Sequence, residues 1–158
     1  MLRAAEPADA LAVANVHVRS WQAAYKGLLP DEYLAGLRPE DRAKRYTFGV
    51  QGKPATIVAI EEGAIRGFAT TYVADGVGVL GGLYVEPEWW DRRLGVALIT
   101  AARAALDGMD AITLWLLVGN QRGERFYRKD GWLPDGAQRT ETVWGATVDE
   151  VRYRRPLP

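Results

Sequence analysis

The sequence predicts a single α/β domain with a parallel pair of strands at its centre and hairpins on one flank. Its 158 residues are the length of one ordinary domain, and 48% hydrophobic with 25% charged residues is a globular composition. In the second half, strand and helix patterns alternate, an order that makes the central strands parallel. No repeat, linker or low-complexity tract divides the chain, so we treat residues 1–158 as one domain.

The first third of the chain is predicted to be mainly helical. Apolar side chains recur at helical spacing after Pro7, which suits a first helical turn because proline has no N–H to leave unpaired. Gly27 and the following Leu-Leu-Pro end this helix in a bend. The elements predicted here are a strand at 1–5, the first helix, a short helix that stops near Gly36 and a helical segment at 39–48.

The middle third is rich in β-branched residues separated by turn signals. These runs predict strands at 55–60, 65–73 and 77–85. Gly78, Gly81 and Gly82 are unusual in the third of them, because glycine weakens a strand interior. A bulge, or the close approach of another group, is the common reason for such glycines, and a merely irregular strand is the alternative.

The last third returns to alternating elements. The pattern predicts a helix at 96–106, a strand at 112–118, a helix capped by Asn120 that runs to 129, and a final strand at 148–154. Asp-Gly at 135–136 and Trp-Gly at 144–145 indicate turns around one more strand.

Composition and charge exclude several classes of function. Twenty Lys and Arg balance twenty Asp and Glu, so we expect no attraction to nucleic acid or to an anionic membrane. The chain has no Cys and one His, which argues against disulfides and against Cys- or His-rich metal sites. Charged residues interrupt the apolar stretch near the N-terminus, so no signal peptide or membrane span is predicted. We expect a soluble cytoplasmic protein without a metal.

Three motifs together resemble the GNAT superfamily of N-acyltransferases. The segment 83–90 (LYVEPEWW), leading to 94–98 (LGVAL), resembles the strand, loop and helix of its first signature. Asn120 with 126–132 (FYRKDGW) resembles its second signature, and 18–30 (VRSWQAAYKGLLP) resembles a helix and bend of many small bacterial members. The resemblance implies a mixed sheet of six to seven strands, with helices on both faces, and acetyl-CoA as the acyl donor.

The first signature of this family binds the pyrophosphate of CoA through backbone N–H groups where a loop enters a helix. The resemblance therefore assigns cofactor binding to Leu83, Tyr84, Val85, Trp90, Arg92, Arg93, Leu94, Gly95, Val96, Ala97 and Asn120.

This loop departs from the family pattern of glycines. Counted from Pro87, Asp91 and Arg93 stand where the family usually has glycine, while Gly95 stands where a glycine is expected. A shifted register that aligns Arg92 and Gly95 with the family formula is the alternative. Asp91 also adds an anion where phosphates would bind.

The second signature supplies a candidate catalytic acid, Tyr127. In the family, a tyrosine hydroxyl at this position protonates the CoA thiolate as it leaves. A phenol with a reference pKa of about 10 is protonated at neutral pH and can donate to a thiolate whose thiol has a pKa near 8.5. The alternative is a half-buried aromatic residue whose hydroxyl is in water.

A general base is not evident in the sequence. Many members of the family have a glutamate in the strand before the signature loop, at a position that aligns with Val79. Glu86, beside Pro87, is expected to face solvent. His17 is a candidate base, because His17, Trp21 and Tyr25 are spaced by four and share a helix face that can border the acceptor. A packed, hydrogen-bonded histidine is the alternative, and water can suffice for a weakly basic amine.

Two classes of function follow. The first is an enzyme that moves an acetyl or related acyl group from acetyl-CoA to a small-molecule amine, with Tyr127 and His17 as catalytic residues and Trp21 and Tyr25 as acceptor contacts. The second is a non-catalytic binding protein on the same fold, favoured by Asp91 and the other departures in the loop. The resemblance is also compatible with a homodimer through the C-terminal strands.

Overall fold

A computed structural model describes all 158 residues and places them around one seven-stranded mixed sheet. The helices are α1 (Ala10–Ala24), α2 (Asp31–Ala35), α3 (Pro39–Ala43), α4 (Leu94–Ala105) and α5 (Gln121–Lys129). The strands are β1 (Leu2–Ala4), β2 (Ala55–Glu61), β3 (Ala64–Ala74), β4 (Val77–Val85), β5 (Ala111–Leu117), β6 (Leu133–Val143) and β7 (Ala146–Pro156). The strand order is β1-β2-β3-β4-β5-β7-β6, and only β4 and β5 are parallel. The predicted fold class is confirmed.

The two faces of the sheet carry different helices. On one face, a core of 15 buried residues joins α4 and α5 to the strands and includes Tyr127 of α5. On the opposite face, Val16 of α1 packs with Phe68 of β3, and Trp21 packs in a cluster with Val148 of β7. Burial of apolar surface on both faces holds the layers together.

The sheet is split between its two central strands. β4 and β5 are paired only at Gly78 with Ile112 and at Val79 with Thr113. Beyond these pairs, β4 continues to Val85 against β3, and β5 continues against β7. The carboxyl ends of both parallel strands therefore diverge, and this is where ligands bind in open sheets of this kind.

The glycines of β4 are explained by a bulge and by close packing. The β3–β4 register shifts so that Gly81 is left without a partner. A Cβ atom at Gly78 would lie 2.8 Å from Leu106 Cδ1, and one at Gly81 would lie 3.0 Å from Tyr72 Cε1. At Gly82 it would lie 3.0 Å from the Tyr84 ring. The expectation of a bulge or a close approach is confirmed.

Two local predictions were wrong. The helical segment expected at 39–48 ends at Ala43, since the following turns bring Tyr46 and Phe48 into contact, with ring centroids 4.7 Å apart. The Asp-Gly pair at 135–136 lies inside the continuous strand β6, where it forms an irregularity of the register and does not begin the strand. Tertiary packing overrides the local pattern in the first case and bulge geometry does so in the second.

None of the helices is both long enough and apolar enough to cross a membrane.

Candidate active site

The loop from β4 to α4 keeps a backbone conformation that glycine favours. Asp91 has φ of 62° and Arg93 has φ of 67°, both in the left-handed region, and the Arg93 residue directly precedes α4. These are the two positions where the resemblance expected glycine. A side chain here is strained by about 1–2 kcal/mol relative to the right-handed region. The loop therefore has the backbone course of a glycine-rich loop although its side chains differ.

The loop also exposes backbone donors toward one end of α4. No side chain caps this helix, and Ala97 is the first residue of its N-terminal turn whose N–H is bonded, to the Arg93 carbonyl at 3.1 Å. The N–H groups of residues 91–96 make no protein hydrogen bond. Successive free N–H groups at the N-terminus of a helix are suited to bind an anion, which the helix dipole also favours. The chain thus fits a pyrophosphate at this position.

Arginine side chains stack on Trp89 and Trp90, the two tryptophans at the start of the loop. The Arg122 guanidinium lies 4.0 Å from the ring centroid of Trp90, and that of Arg92 lies 4.7 Å from the ring centroid of Trp89. The Trp90 indole donates a hydrogen bond to the Val85 carbonyl at 2.8 Å. Trp90 therefore fixes the loop to the end of β4.

The charges of the loop are arranged to offset Asp91. The exposed Asp91 carboxylate lies 3.6 Å from the Arg122 guanidinium. Neither Arg92 nor Arg93 is paired with a carboxylate, and both are exposed. Two free guanidinium groups beside the N–H groups favour a phosphate, and the Asp91–Arg122 pair reduces the local repulsion.

Glu86 does not face solvent, so that prediction was wrong. Its side chain is 6% exposed and is held between Arg19 of α1 and Arg66 of β3, with Arg66 at 3.1 Å. A carboxylate at this place is buried only because two cations pair with it. Glu86 therefore ties α1 to the start of the loop and is not a free base.

The second signature lies where α4 and α5 pack together. Asn120 accepts a hydrogen bond from the Gly123 N–H at 3.0 Å and so caps α5 as predicted. A Cβ at Gly95 would lie 3.0 Å from Phe126 Cε1, so glycine there lets α4 approach α5. This close packing sets the position of Tyr127.

Tyr127 is buried in the core and lines neither of the two cavities described below. Its side chain belongs to the core of the α4 and α5 face and makes no hydrogen bond to the protein. Burial raises the pKa of the Tyr127 hydroxyl well above its usual value, and Tyr84 and Asp130 raise it further. The phenol is fully protonated at neutral pH.

Two adjoining cavities lie on the α1 face. The sheet cavity, of about 130 Å³, borders the split and is lined by residues that include Val79, Leu80, Gly81, Trp115 and Glu150. The aromatic cavity, of about 260 Å³, is lined by residues that include His17, Arg42, Tyr46, Phe68 and Trp144. Five residues line both cavities: Trp21, Tyr72, Gly81, Tyr84 and Val143.

Val79 faces the sheet cavity, where a glutamate would be expected from the resemblance. Glu150, on β7, lines the same cavity and is 9% exposed. Its carboxylate accepts a hydrogen bond from Arg139 Nε at 2.9 Å. The pairing with Arg139 ties Glu150 to the neighbouring strand β6.

His17 lies in the wall of the aromatic cavity among five aromatic rings. Its ring stacks on Tyr84, with centroids 4.7 Å apart, and its Nδ1 lies 3.0 Å from the Tyr46 hydroxyl oxygen. Burial lowers the pKa of His17 well below 6.5, and the positive charge of Arg42 lowers it further. The imidazole is therefore neutral at neutral pH.

The shared helix face predicted for His17, Trp21 and Tyr25 is present. The His17 and Trp21 ring centroids are 5.8 Å apart, and those of Trp21 and Tyr25 are 5.0 Å apart. His17 reaches the aromatic cavity, Tyr25 reaches the sheet cavity, and Trp21 reaches both. Their functional roles stay predictions.

Sequence reasoning missed the cavity walls that come from distant segments. Arg42 and Tyr46 enter from α3 and the turn after it, and Trp144 enters from the β6–β7 turn with φ of 49°. The Tyr33 hydroxyl donates a hydrogen bond to the Trp144 carbonyl and so fixes that turn. The Trp-Gly pair at 144–145 was the available signal, but a turn signal does not show which cavity a side chain lines.

Comparison with known proteins gives a family and a fold. The profile described as "Acetyltransferase (GNAT) family" matches residues 18–132. No curated protein sequence matches the chain.

Three solved structures share the fold across nearly the whole chain. A GCN5-related N-acetyltransferase from Rhodopseudomonas palustris is 22% identical, with a TM-score of 0.77 and coverage of 99% of this chain and 95% of that one. The PaiA N-acetyltransferase from Thermoplasma acidophilum, in complex with coenzyme A, is 20% identical, with a TM-score of 0.73 and coverage of 99% and 98%. The ribosomal-protein-S18-alanine N-acetyltransferase from Escherichia coli is 17% identical, with a TM-score of 0.70 and coverage of 99% and 93%.

Proposed function

The chain belongs to the acetyltransferase (GNAT) family, and from that premise we propose that it transfers an acetyl group from acetyl-CoA to the amine of a small molecule. One observation carries the proposal: a loop with free N–H groups at residues 91–96 lies at the end of β4, where the sheet splits, and leads into α4, which packs in one core with Tyr127. A donor that is anionic at one end and a thioester at the other matches these two features.

The loop would hold the pyrophosphate of the donor. The free N–H groups donate to phosphate oxygens, and the guanidinium groups of Arg92 and Arg93 add positive charge. Because the donors belong to the backbone, the Asp91 and Arg93 side chains do not remove them. The length of β4 between Gly81 and Val85, unpaired on its β5 side, leaves backbone groups available to the rest of the donor.

Acetyl-CoA, when bound, supplies a thioester carbonyl carbon to which the amine nitrogen bonds while the carbon–sulfur bond breaks. Tyr127 gives its phenolic proton to the departing sulfur, and solvent later restores that proton. The raised pKa of Tyr127 keeps the acid protonated between turnovers. The attacking nitrogen loses one proton, so the products are an N-acetyl amine and the free thiol.

His17 is the proposed acceptor of that amine proton. Its Nε2 makes no hydrogen bond, and its lone pair is free in the tautomer whose Nδ1–H donates to the Tyr46 hydroxyl oxygen. The lowered pKa makes His17 a weak base, which suits an amine that enters largely neutral. Direct loss of the proton to water is the second route.

A non-catalytic binding protein is the second candidate function. Asp91, Arg93 and Val79 favour it, because they replace the glycines and the glutamate found in many members of the family. The positive φ values of Asp91 and Arg93 weaken this reading, since the backbone course does not depend on glycine.

The test is a transfer assay with acetyl-CoA and a panel of primary amines, read by release of the free thiol and by mass spectrometry of the N-acetylated product. The proposal predicts thiol release that requires an amine and is matched by the acetylated product. Binding of acetyl-CoA without any acetylated product across the panel would favour the non-catalytic reading.

A further inference from the structure

The walls of the aromatic cavity carry positive charge and no negative charge. Arg42 and Arg45 line it, and none of its 17 lining residues is an aspartate or a glutamate. Neither arginine is paired with a carboxylate anywhere in the protein. In a protein with 20 acidic residues, two unpaired arginines on one cavity are an unbalanced local charge.

Two hydrogen-bond donors at this cavity are buried and lack acceptors. They are Nε of Arg42 and the indole Nε1 of Trp21, and Trp21 is 4% exposed. Buried donors in folded proteins are nearly always bonded, and an unbonded one is costly. Both atoms are closed off from the cavity, and each residue lies beside a phenol, Tyr46 for Arg42 and Tyr84 for Trp21. A ligand in the cavity therefore meets the charge of the half-buried Arg42 and not these two atoms.

Aromatic rings hold the Arg42 guanidinium in place. Its central carbon lies 5.1 Å from the ring centroid of Trp144 and 5.7 Å from that of Tyr46. Stacking of this kind orients the planar guanidinium, whose charge and N–H groups suit a carboxylate. Trp21 stands at the junction with the sheet cavity, toward the split.

We propose that the acceptor amine carries a carboxylate, as an α-amino acid does, and that Arg42 binds this carboxylate. The inference rests on the proposed function and specifies its substrate class. An acceptor held in this way has its amine near the junction of the two cavities, where the split begins. Polycationic amines are disfavoured, because the cavity offers them two arginines and no acid.

The experiment compares matched trios of compounds: an amino acid, its carboxamide and its decarboxylated amine. Phenylalanine, leucine, methionine and glutamine supply four such trios. Transfer rates are measured with acetyl-CoA, and binding is measured separately by calorimetry with the acetyl-CoA-free protein. For at least one trio, we expect kcat/KM for the amino acid to exceed that for its decarboxylated amine by about 10- to 100-fold, as for a hydrogen-bonded charge.

Arg42→Met keeps the length of the side chain and removes its charge. We expect this variant to lose the preference for the amino acid over the decarboxylated amine, while Arg42→Lys keeps part of it. Arg38→Met is the matched control: Arg38 is 70% exposed, lies in the segment just before Arg42 and does not line the cavity. It should keep the full preference, and all three variants should still bind acetyl-CoA.

The outcomes separate this inference from the proposed function. Transfer to amines with no preference for the carboxylate in any trio, or a preference that survives Arg42→Met, would overturn the inference and leave the acetyltransferase standing. Binding of amino acids that requires Arg42, without transfer, would support the carboxylate site and overturn the proposed function. Neither transfer nor binding would overturn both.

Discussion

The candidate site has two ends, the β4–α4 loop and the aromatic cavity, and they present different kinds of ligand-binding group. At the β4–α4 loop the ligand-binding groups are backbone N–H groups, whose directions follow from the φ angles at Asp91 and Arg93. In the aromatic cavity the groups are side chains brought from α1, the α3 segment, β4 and the β6–β7 turn. A binding site made of backbone groups tolerates substitutions provided that the backbone conformation of the loop is preserved. A side-chain site changes with every substitution.

This difference explains why the donor end resembles a family motif and the acceptor end does not. Pro87, Gly95 and the length of the loop are enough to set a helix N-terminus at the end of a strand. The cavity walls come from segments as far apart as His17 and Trp144, and no local pattern records their meeting. The predictions that follow alter one end at a time, from the largest expected effect to the smallest.

Tyr127→Phe should have the largest effect. The ring that packs between α5 and the sheet remains, but the proton donated to the leaving sulfur is lost, so we expect kcat to fall about 10²- to 10⁴-fold with little change in acetyl-CoA affinity. Steady-state kinetics and calorimetry measure the two quantities. Tyr153→Phe is the control: Tyr153 is a core tyrosine of the same cluster that lies on β7, outside the second signature, and the variant should leave kcat unchanged. An unchanged kcat in Tyr127→Phe would remove this residue from the mechanism.

Gly95→Val tests the close packing of α4 on α5. The new side chain would begin 3.0 Å from Phe126 Cε1, so we expect the free energy of unfolding to fall by about 1–3 kcal/mol, as in other overpacked sites. Urea denaturation measures it. Ala104→Val places a valine at an exposed position of the same helix without that contact. Helix propensity disfavours the control, since valine is a poorer helix former than alanine, and does not disfavour Gly95→Val, since glycine is poorer still. Equal losses in the two variants would show that Gly95 is not a packing requirement.

His17 should make stability depend on pH below about 6.5. Its pKa is lowered in the folded protein, so between the unfolded value of 6.5 and the folded value the unfolded chain binds a proton that the folded chain does not. Stability therefore falls as pH falls through this window, by up to about 1.4 kcal/mol per pH unit. Comparing urea unfolding of the wild type and His17→Phe from pH 7 to pH 5.5 isolates this slope, because the chain has one histidine. If the stability of the two proteins depended on pH in the same way, His17 would not be the source of the pH dependence.

Asp91→Gly should have the smallest effect, and we expect it to increase both the free energy of unfolding and the affinity for acetyl-CoA. Glycine removes the strain of a left-handed residue at the cost of a more flexible unfolded chain, so we expect a net gain of about 0.5–1 kcal/mol. Loss of the carboxylate should also raise acetyl-CoA affinity modestly. Asp75→Gly is the matched control, since Asp75 has φ of 51° in a hairpin turn away from the loop. It should gain stability without a change in affinity, and a loss of affinity in Asp91→Gly would contradict the backbone account.

The sequence was sufficient for the order of elements and for the parallel pair, because periodicity and turn signals are local. Asn120 was predicted as a helix cap for the same reason. The burial of Glu86 was not predictable, since its two arginine partners lie 67 and 20 residues away along the chain. The early end of α3 likewise follows from the stacking of Tyr46 on Phe48 and of both near α1.

The central claim is that the loop with Asp91 and Arg93 binds the pyrophosphate of acetyl-CoA through its backbone. Calorimetric titration with acetyl-CoA, beside S-acetylpantetheine as a donor without the pyrophosphate, tests it directly. The account predicts saturable binding of acetyl-CoA and much weaker binding of S-acetylpantetheine. No binding of acetyl-CoA at millimolar concentration, or equal affinity for both compounds, would contradict it.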